Sequence, residues 1–197
     1  MKKIEFSILI SLIISILIAN FSVFSANCEE VRGEVLRLHI LANSDSEEDQ
    51  NLKLKIRDKI LESSASLFEG GKNLEDAKMA AQQNLSKITE IAQNEVYAQG
   101  YFYEVSAELG ESFFETREYD NVTLPAGIYS ALIIKIGKAK GKNWWCVLFP
   151  ALCIPAAQGE KELSDVLNSL QIDTVTNPVY KPKFAIFELI EKIKNNV

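Results

Sequence analysis

The N-terminal apolar run constrains this chain more than any other feature. Two lysines follow Met1, and residues 6–18 then carry no charge and consist of Ile, Leu, Phe and Ser. An Ile-rich segment without a polar face is unsuited to the surface of a soluble domain, and a positive start before an apolar stretch is typical of a secretory signal. We therefore predict that the chain is exported and that its body works outside the cytoplasm.

Two forms of this segment remain open. A cut near Ala26 would make it a cleaved signal peptide. Alternatively, residues 6–27 are uncharged and about long enough to span a bilayer, so they would form an uncut anchor and associate the protein with a membrane. In both cases we separate an N-terminal segment, residues 1–28, from a single extracytoplasmic domain, residues 29–197.

Charge and histidine content exclude two classes of function. The chain has 27 acidic and 21 basic side chains, a net charge of -6, and shows no basic stripe, so we expect no nucleic-acid partner. His39 is the single histidine of the sequence, which excludes multi-histidine metal sites. No phosphate-binding glycine loop is present, and we expect no cofactor.

The first half of the chain predicts one strand and two helices. The apolar middle of residues 31–42 predicts a strand, and the Asn-Ser-Asp-Ser run of residues 43–46 breaks it. Ser46 is a suitable N-cap for a helix whose first turn is acidic. A second amphipathic helix is predicted over residues 73–99, and the glycine pair between the helices predicts that they pack antiparallel.

The second half predicts a sheet and a final helix. Gly110 marks a predicted turn between two strands, and further strands follow at residues 128–136 and 144–149. Residues 174–183 read as an irregular linker, and residues 183–197 contain an amphipathic C-terminal helix. We predict an α+β fold, in which an antiparallel sheet of about four to five strands packs with the helix pair.

The cysteines suggest a disulfide bond. Cys146 and Cys153 are six residues apart in an exported chain, and a turn at Pro150 would bring them close enough to bond. Two buried free thiols are the alternative. Cys28 invites a lipoprotein interpretation, but Asn27 before it fits that processing site poorly, so its role is left open.

His39 raises the question of an active site. It lies in a predicted strand shortly before Ser44 and Asp45, and an exported hydrolase using His39 with one of them is the enzymatic alternative. No Gly-x-Ser-x-Gly elbow is present, and a lone histidine in a strand is more often structural. We therefore predict no catalytic residue and no metal ligand.

Three sequence blocks resemble one known family, the stage II sporulation protein R family. The first is LRLHILANSDSEEDQ at residues 36–50 with LKLKIRD at residues 52–58. The second is LPAGIYSAL at residues 124–132, and the third is GKNWWCVLFPALC at residues 141–153. The order and the spacing of the blocks also fit that family.

The resemblance implies a function that the residues alone do not supply. Members of the family are made in the forespore of endospore-forming bacteria and are exported into the space between the forespore and mother-cell membranes. There they activate a membrane-embedded aspartic protease, the sigma-E factor processing peptidase, which removes the pro-sequence of sigma-E. The chain would then be a signal without catalysis of its own; an anchored structural protein of the spore envelope is a further alternative.

Partner-binding residues are expected at an exposed turn and beside it. The polar turn after the first strand includes Asn43, Ser44 and Asp45, and loops on a rigid base are where binding residues tend to lie. The adjacent rings of Trp144 and Trp145 point to opposite faces of a strand, so we expect one of them to be exposed as an apolar anchor.

Overall fold

The computed structural model describes residues 2–67, 72–119, 121–150 and 163–196. The chain forms two compact units. Unit 1 comprises Met1–Arg32, Glu115–Gly127 and Ser169–Val197, and unit 2 comprises Gly33–Phe114 and Ile128–Asn168. That residues 29–197 act as one extracytoplasmic domain stays a prediction.

A four-stranded sheet organises unit 2. The strand order is β2-β5-β1-β6, so the first strand of the chain lies inside the sheet. The strands are β1 (Leu36–Leu41), β2 (Val105–Phe114), β5 (Gly127–Ile136) and β6 (Asn143–Phe149). β1 pairs parallel with β5 and antiparallel with β6. The α+β class is confirmed, but the expectation of a wholly antiparallel sheet is wrong, because the long connection from β1 to β5 allows a parallel pair.

Two helices cover one face of this sheet. They are α2 (Glu47–Leu67) and α3 (Leu74–Ala98). Lys55 of α2 bonds to Gln99 just beyond α3, and the carbonyl of Leu67 accepts from Asn84, so the helices run antiparallel as predicted. The predicted Gly70-Gly71 turn lies outside the described residues. Alternate residues of β1 enter this core, namely Leu36, Leu38 and Ile40.

The opposite face of the sheet contains a buried cation. Arg37 is fully buried, and its guanidinium carbon lies 4.1 Å from the ring centroid of Phe114 and 4.9 Å from that of Tyr129. A guanidinium between two aromatic faces is stabilised by their quadrupoles. This face is therefore packed around aromatic rings and a cation, whereas the other face is aliphatic. The short α4 (Leu163–Val166) also belongs to unit 2.

Unit 1 is built around the long N-terminal helix α1 (Lys2–Arg32). This helix is long and apolar enough to cross a membrane. The unit also contains a two-stranded antiparallel sheet and a C-terminal helical region. These elements are β3 (Arg117–Tyr119), β4 (Val122–Leu124), α5 (Ser169–Thr176), a 3-10 turn (Pro178–Tyr180) and α6 (Lys181–Asn195).

Two local predictions are wrong. Gly110 lies within the continuous strand β2 and marks no turn; a side chain there would meet only ordinary contact distances. The expected irregular linker at residues 174–183 is largely helical. Pro182 lies in the first turn of α6, where a missing N–H breaks no helical hydrogen bond. The predicted C-terminal helix is confirmed.

Candidate functional site

The polar turn after β1 is joined to the loop between β5 and β6. The amide of Gly141 donates to the carbonyl of Ala42 at 2.9 Å, and the amide of Lys140 donates to the carbonyl of Asn43 at 3.3 Å. Both segments belong to unit 2, and we call residues 43–49 and 137–142 together the turn–loop cluster. The first and third sequence blocks thus meet in one structure.

Asp49 is the centre of this cluster. Its Oδ2 accepts from Asn43 Nδ2 at 2.8 Å and from Ser44 Oγ at 2.5 Å, and the residue is only 3% exposed. Burial by itself raises the pKa of Asp49, but hydrogen bonds from Ser44, Asn43 and Tyr103 outweigh it and lower that pKa below its ordinary value. Asp49 is therefore an ionised structural acceptor.

Ser46 begins α2 as predicted. Its Oγ accepts from the amide of Asp49 at 3.2 Å, which satisfies one of the free N–H groups at the helix start. The side chain of Asp49 faces Asn43 and Ser44 instead of completing a capping box. The carboxylate of Asp49, in the first turn of α2, therefore joins the helix start to the turn that precedes it.

The loop side of the cluster requires glycine. A Cβ at Gly141 would lie 2.1 Å from the carbonyl oxygen of Ser44, and one at Gly137 would lie 2.4 Å from Asn43 Oδ1. Gly137 also has a φ of +56°, which suits glycine. In addition, Asn43 Oδ1 accepts from the amide of Lys138 at 3.0 Å. Close backbone approach fixes the shape of this surface.

The predicted partner-binding residues differ in what remains accessible. Asn43 and Ser44 are half-buried and use their side chains within the cluster, whereas Asp45 is exposed. Asp45 Oδ1 accepts from the amide of Lys142 at 2.6 Å. Of the three, Asp45 is the residue best placed to meet a partner.

Neither tryptophan is exposed. Both are half-buried and lie on opposite faces of β6, so the expectation of one exposed ring is not met. The guanidinium carbon of Arg57 lies 4.4 Å from the ring centroid of Trp144. Trp145 packs beside Phe114 and His39, with ring centroids 5.7 Å and 6.3 Å apart. The two rings therefore pack against unit 2 on either side of β6.

An exposed aromatic residue beside the cluster was missed. Phe102 is 90% exposed, and it lies between Tyr101 and Tyr103, whose rings stack at 5.5 Å. The carbonyl of Glu104, two residues after Phe102, accepts from the amide of Gly137 at 2.9 Å, so Phe102 lies close to the cluster. The sequence signal was the Tyr-Phe-Tyr run, in which an extended backbone places the middle ring opposite its two neighbours.

His39 does not assemble the expected hydrolase constellation. Its Nδ1 lies 3.0 Å from Ser112 Oγ, and the two share a hydrogen bond; its contacts do not include Ser44 or Asp45. The residue is 8% exposed, and burial lowers its pKa, as do the nearby charges of Arg37 and Lys135, whereas donation of a hydrogen bond by the ring to Asn143 raises it. In the described part of the chain no carboxylate bonds to His39, so a Ser112–His39 pair has no orienting acid.

Metal and cysteine chemistry add little to this site. Within the described ranges, no group of three metal-ligating side chains occurs. Cys146 is buried in β6, but Cys153 lies outside the described residues, so their pairing stays a prediction. Cys28 is a buried free thiol in α1 of unit 1.

Comparison with known proteins decides the family. A family profile described as stage II sporulation protein R matches residues 32–158. This chain belongs to the stage II sporulation protein R family. It is 34% identical over 158 residues to stage II sporulation protein R of Bacillus subtilis (strain 168), and the match covers 76% of this chain and 70% of that protein.

No solved structure matches the chain. The family profile spans all three sequence blocks, and it includes the whole turn–loop cluster. The resemblance seen in the sequence is thereby confirmed, and the chain is a stage II sporulation protein.

Proposed function

We propose that this protein is a sporulation signal, made in the forespore and exported into the space between the forespore and mother-cell membranes. There it activates the membrane-embedded sigma-E factor processing peptidase, which removes the pro-sequence of sigma-E. The observation that carries the proposal is the family match over residues 32–158. The apolar helix α1, which suits export or anchoring, supports the location.

The protein acts by binding and not by catalysis. The carboxylate of Asp49 is used by the fold, and the hydrogen bond of His39 goes to Ser112. A hydrolase would need a nucleophile, a base and an orienting group within hydrogen-bond reach of one another. The geometry of the described residues favours a ligand over the hydrolase alternative.

The protease contact is assigned to the exposed edge of the turn–loop cluster. Asp45 offers an exposed carboxylate, one oxygen of which accepts from the amide of Lys142, and Phe102 offers an exposed ring. A rigid surface binds at a smaller entropic cost than a flexible one, and a few aromatic or charged residues carry most of the affinity of an interface. Asn43 and Ser44 support this edge through Asp49.

We also propose that α1 stays attached as a membrane anchor. Phe24 and Cys28 are buried in the same small core as Phe184 and Phe187 of α6. Arg32, at the end of α1, forms a 2.6 Å ion pair with Glu191. A cut near Ala26 would remove Phe24 from this core, so cleavage there would cost unit 1 much of its packing.

Co-expression tests the proposed activity. The full chain, the protease and pro-sigma-E are produced together in a non-sporulating host, and processing is read by immunoblot. We expect processing only when all three are present. Processing that does not depend on the chain would refute the proposal, and a chain that never stimulates it would leave a structural role in the spore envelope as the better account.

Matched variants test the assigned surface in the same host. Asp45→Ala and Phe102→Ala should each lower processing, with roughly tenfold weaker binding as the scale expected for an interface hot spot. Glu90→Ala and Met79→Ala are the controls, because they remove an exposed carboxylate and an exposed apolar side chain from α3. If processing falls only in proportion to the folded protein, measured by thermal melting, the two residues serve the fold alone.

A further inference from the structure

A groove with one apolar wall lies within unit 1. It has a volume of about 410 Å³ and runs between α1 and the segment that leads from α5 into α6. Ile16, Ala19 and Val23 form its wall along α1. Their spacings of three and four place them on one face of the helix. The groove therefore begins on the apolar part of α1.

The other end of the groove is polar and cationic. Lys183 of α6 donates to Asn20 Oδ1 of α1. Its ammonium nitrogen also lies 4.8 Å from the ring centroid of Tyr180 and 5.6 Å from that of Phe24. An ammonium group held over two rings has a defined place, and it can still meet an anion because lysine carries three donors.

The groove lies where the apolar part of α1 gives way to residues with polar side chains. Leu9, Leu12 and Ile16 continue the wall toward the N-terminus and are all exposed. At about 1.5 Å per residue, the helix from residue 4 to residue 23 is roughly 30 Å long, the thickness of a bilayer core. With α1 across a membrane, Asn20 would lie about 5 Å from the end of this stretch. Tyr180 and Lys183 beside it would then reach the boundary between hydrocarbon and headgroups, where Tyr and Lys are favoured.

We propose that this groove binds an anionic phospholipid, whose phosphate meets Lys183 and Asn20 while an acyl chain lies along Ile16 and Ala19. The inference rests on the proposed retention of α1. Continuity argues for lipid as the occupant: the apolar wall runs without interruption from the groove into the stretch of α1 that would lie in hydrocarbon. A helix of a second copy is the alternative occupant that the experiment must exclude.

The test uses the full chain purified in detergent. Intact mass first gives the N-terminus, and native mass spectrometry then follows titration with phosphatidylglycerol or phosphatidylcholine. We expect phosphatidylglycerol to bind more tightly. Lys183→Gln should weaken its binding about fivefold, which corresponds to roughly 1 kcal/mol for one lysine near an anionic lipid surface. Lys194→Gln, a change of the same charge in an exposed part of α6, should have no effect.

Ala19→Leu separates shape from charge, because it fills the groove and should weaken both lipids. Equal binding of the two lipids by the native chain, an equal loss in both lysine variants, or a lipid-free dimer would overturn the lipid site. With an intact N-terminus these results leave the anchor and the signalling role standing. An N-terminus found beyond residue 20 would refute retention of α1, and the site with it.

Discussion

Phe24→Ala is the most direct test of whether α1 is part of the folded protein. Phe24 is only 2% exposed, and its ring centroid lies 5.0 Å from that of Phe184 and 5.6 Å from that of Tyr180. Phe187 stands edge-on at 6.1 Å. Cleavage of α1 as a signal peptide would remove these contacts from the folded protein, whereas an anchor that packs on α6 depends on them.

The expected loss is about 3 kcal/mol. Removing a buried Phe side chain typically costs 3–5 kcal/mol, and the lower end applies here because the groove beside the ring lets the site partly collapse. Since 1.4 kcal/mol is about a factor of ten, α6 should detach from α1 roughly a hundred times more often.

Hydrogen exchange of the full chain in detergent measures this opening. Amides of α6 should exchange roughly a hundred times faster in Phe24→Ala, with α2 and α3 of unit 2 as internal references. Phe6→Ala is the matched control, because Phe6 is 63% exposed on the same helix and its loss should leave α6 unchanged. Unchanged exchange in Phe24→Ala would refute the packing of α1 on α6.

The remaining predictions concern unit 2. Asp49→Asn should cost roughly 2 kcal/mol in urea unfolding, because an amide replaces an acceptor of charge-assisted hydrogen bonds. The pKa of Asp49 is lowered in the folded chain, so the stability that its carboxylate contributes is fully present above pH 3.8, its ordinary pKa, and is lost as the pH falls further. Asp49→Asn should show no such loss. Gly141→Ala should destabilise by about 2 kcal/mol, since its Cβ meets the carbonyl of Ser44, whereas Gly110→Ala, with 3.6 Å to its nearest neighbour, should stay within about 0.5 kcal/mol. The pKa of His39 is lowered in the folded chain, so the free energy of unfolding should decrease as the pH falls below 6.5, the ordinary pKa of histidine. Urea unfolding at a series of pH values measures this decrease, and His39→Gln should remove the part that is due to His39.

Local chemistry made the first half of unit 2 predictable. The strand β1, the turn and the start of α2 each carry their signal within a few residues: an apolar run, a polar break and a Ser N-cap. Ser46 caps the helix in the structure as its position predicts. The periodicity of α2 and α3 was equally informative, because a helix buries one face whatever it packs on.

Pairing between distant strands could not be read in this way. The parallel pairing of β1 with β5 joins Leu38 to Leu132, and nothing in either strand distinguishes a parallel from an antiparallel neighbour. Gly110 misled for a related reason: glycine permits a turn but does not require one. The C-terminal region was read as a linker because Pro178 and Pro182 look like breakers, although each lies in the first turn of a helix.

The structure also shows that many residues of the sequence blocks use their side chains within the fold. Asn43, Ser44 and Asp49 use their side chains on one another, and Gly141 is fixed by the approach of a carbonyl. These residue types are what the geometry of the cluster demands, whatever partner the protein meets. The proposed recognition of the protease is therefore assigned to groups that stay exposed, such as Phe102, which lies outside all three blocks and is 90% exposed.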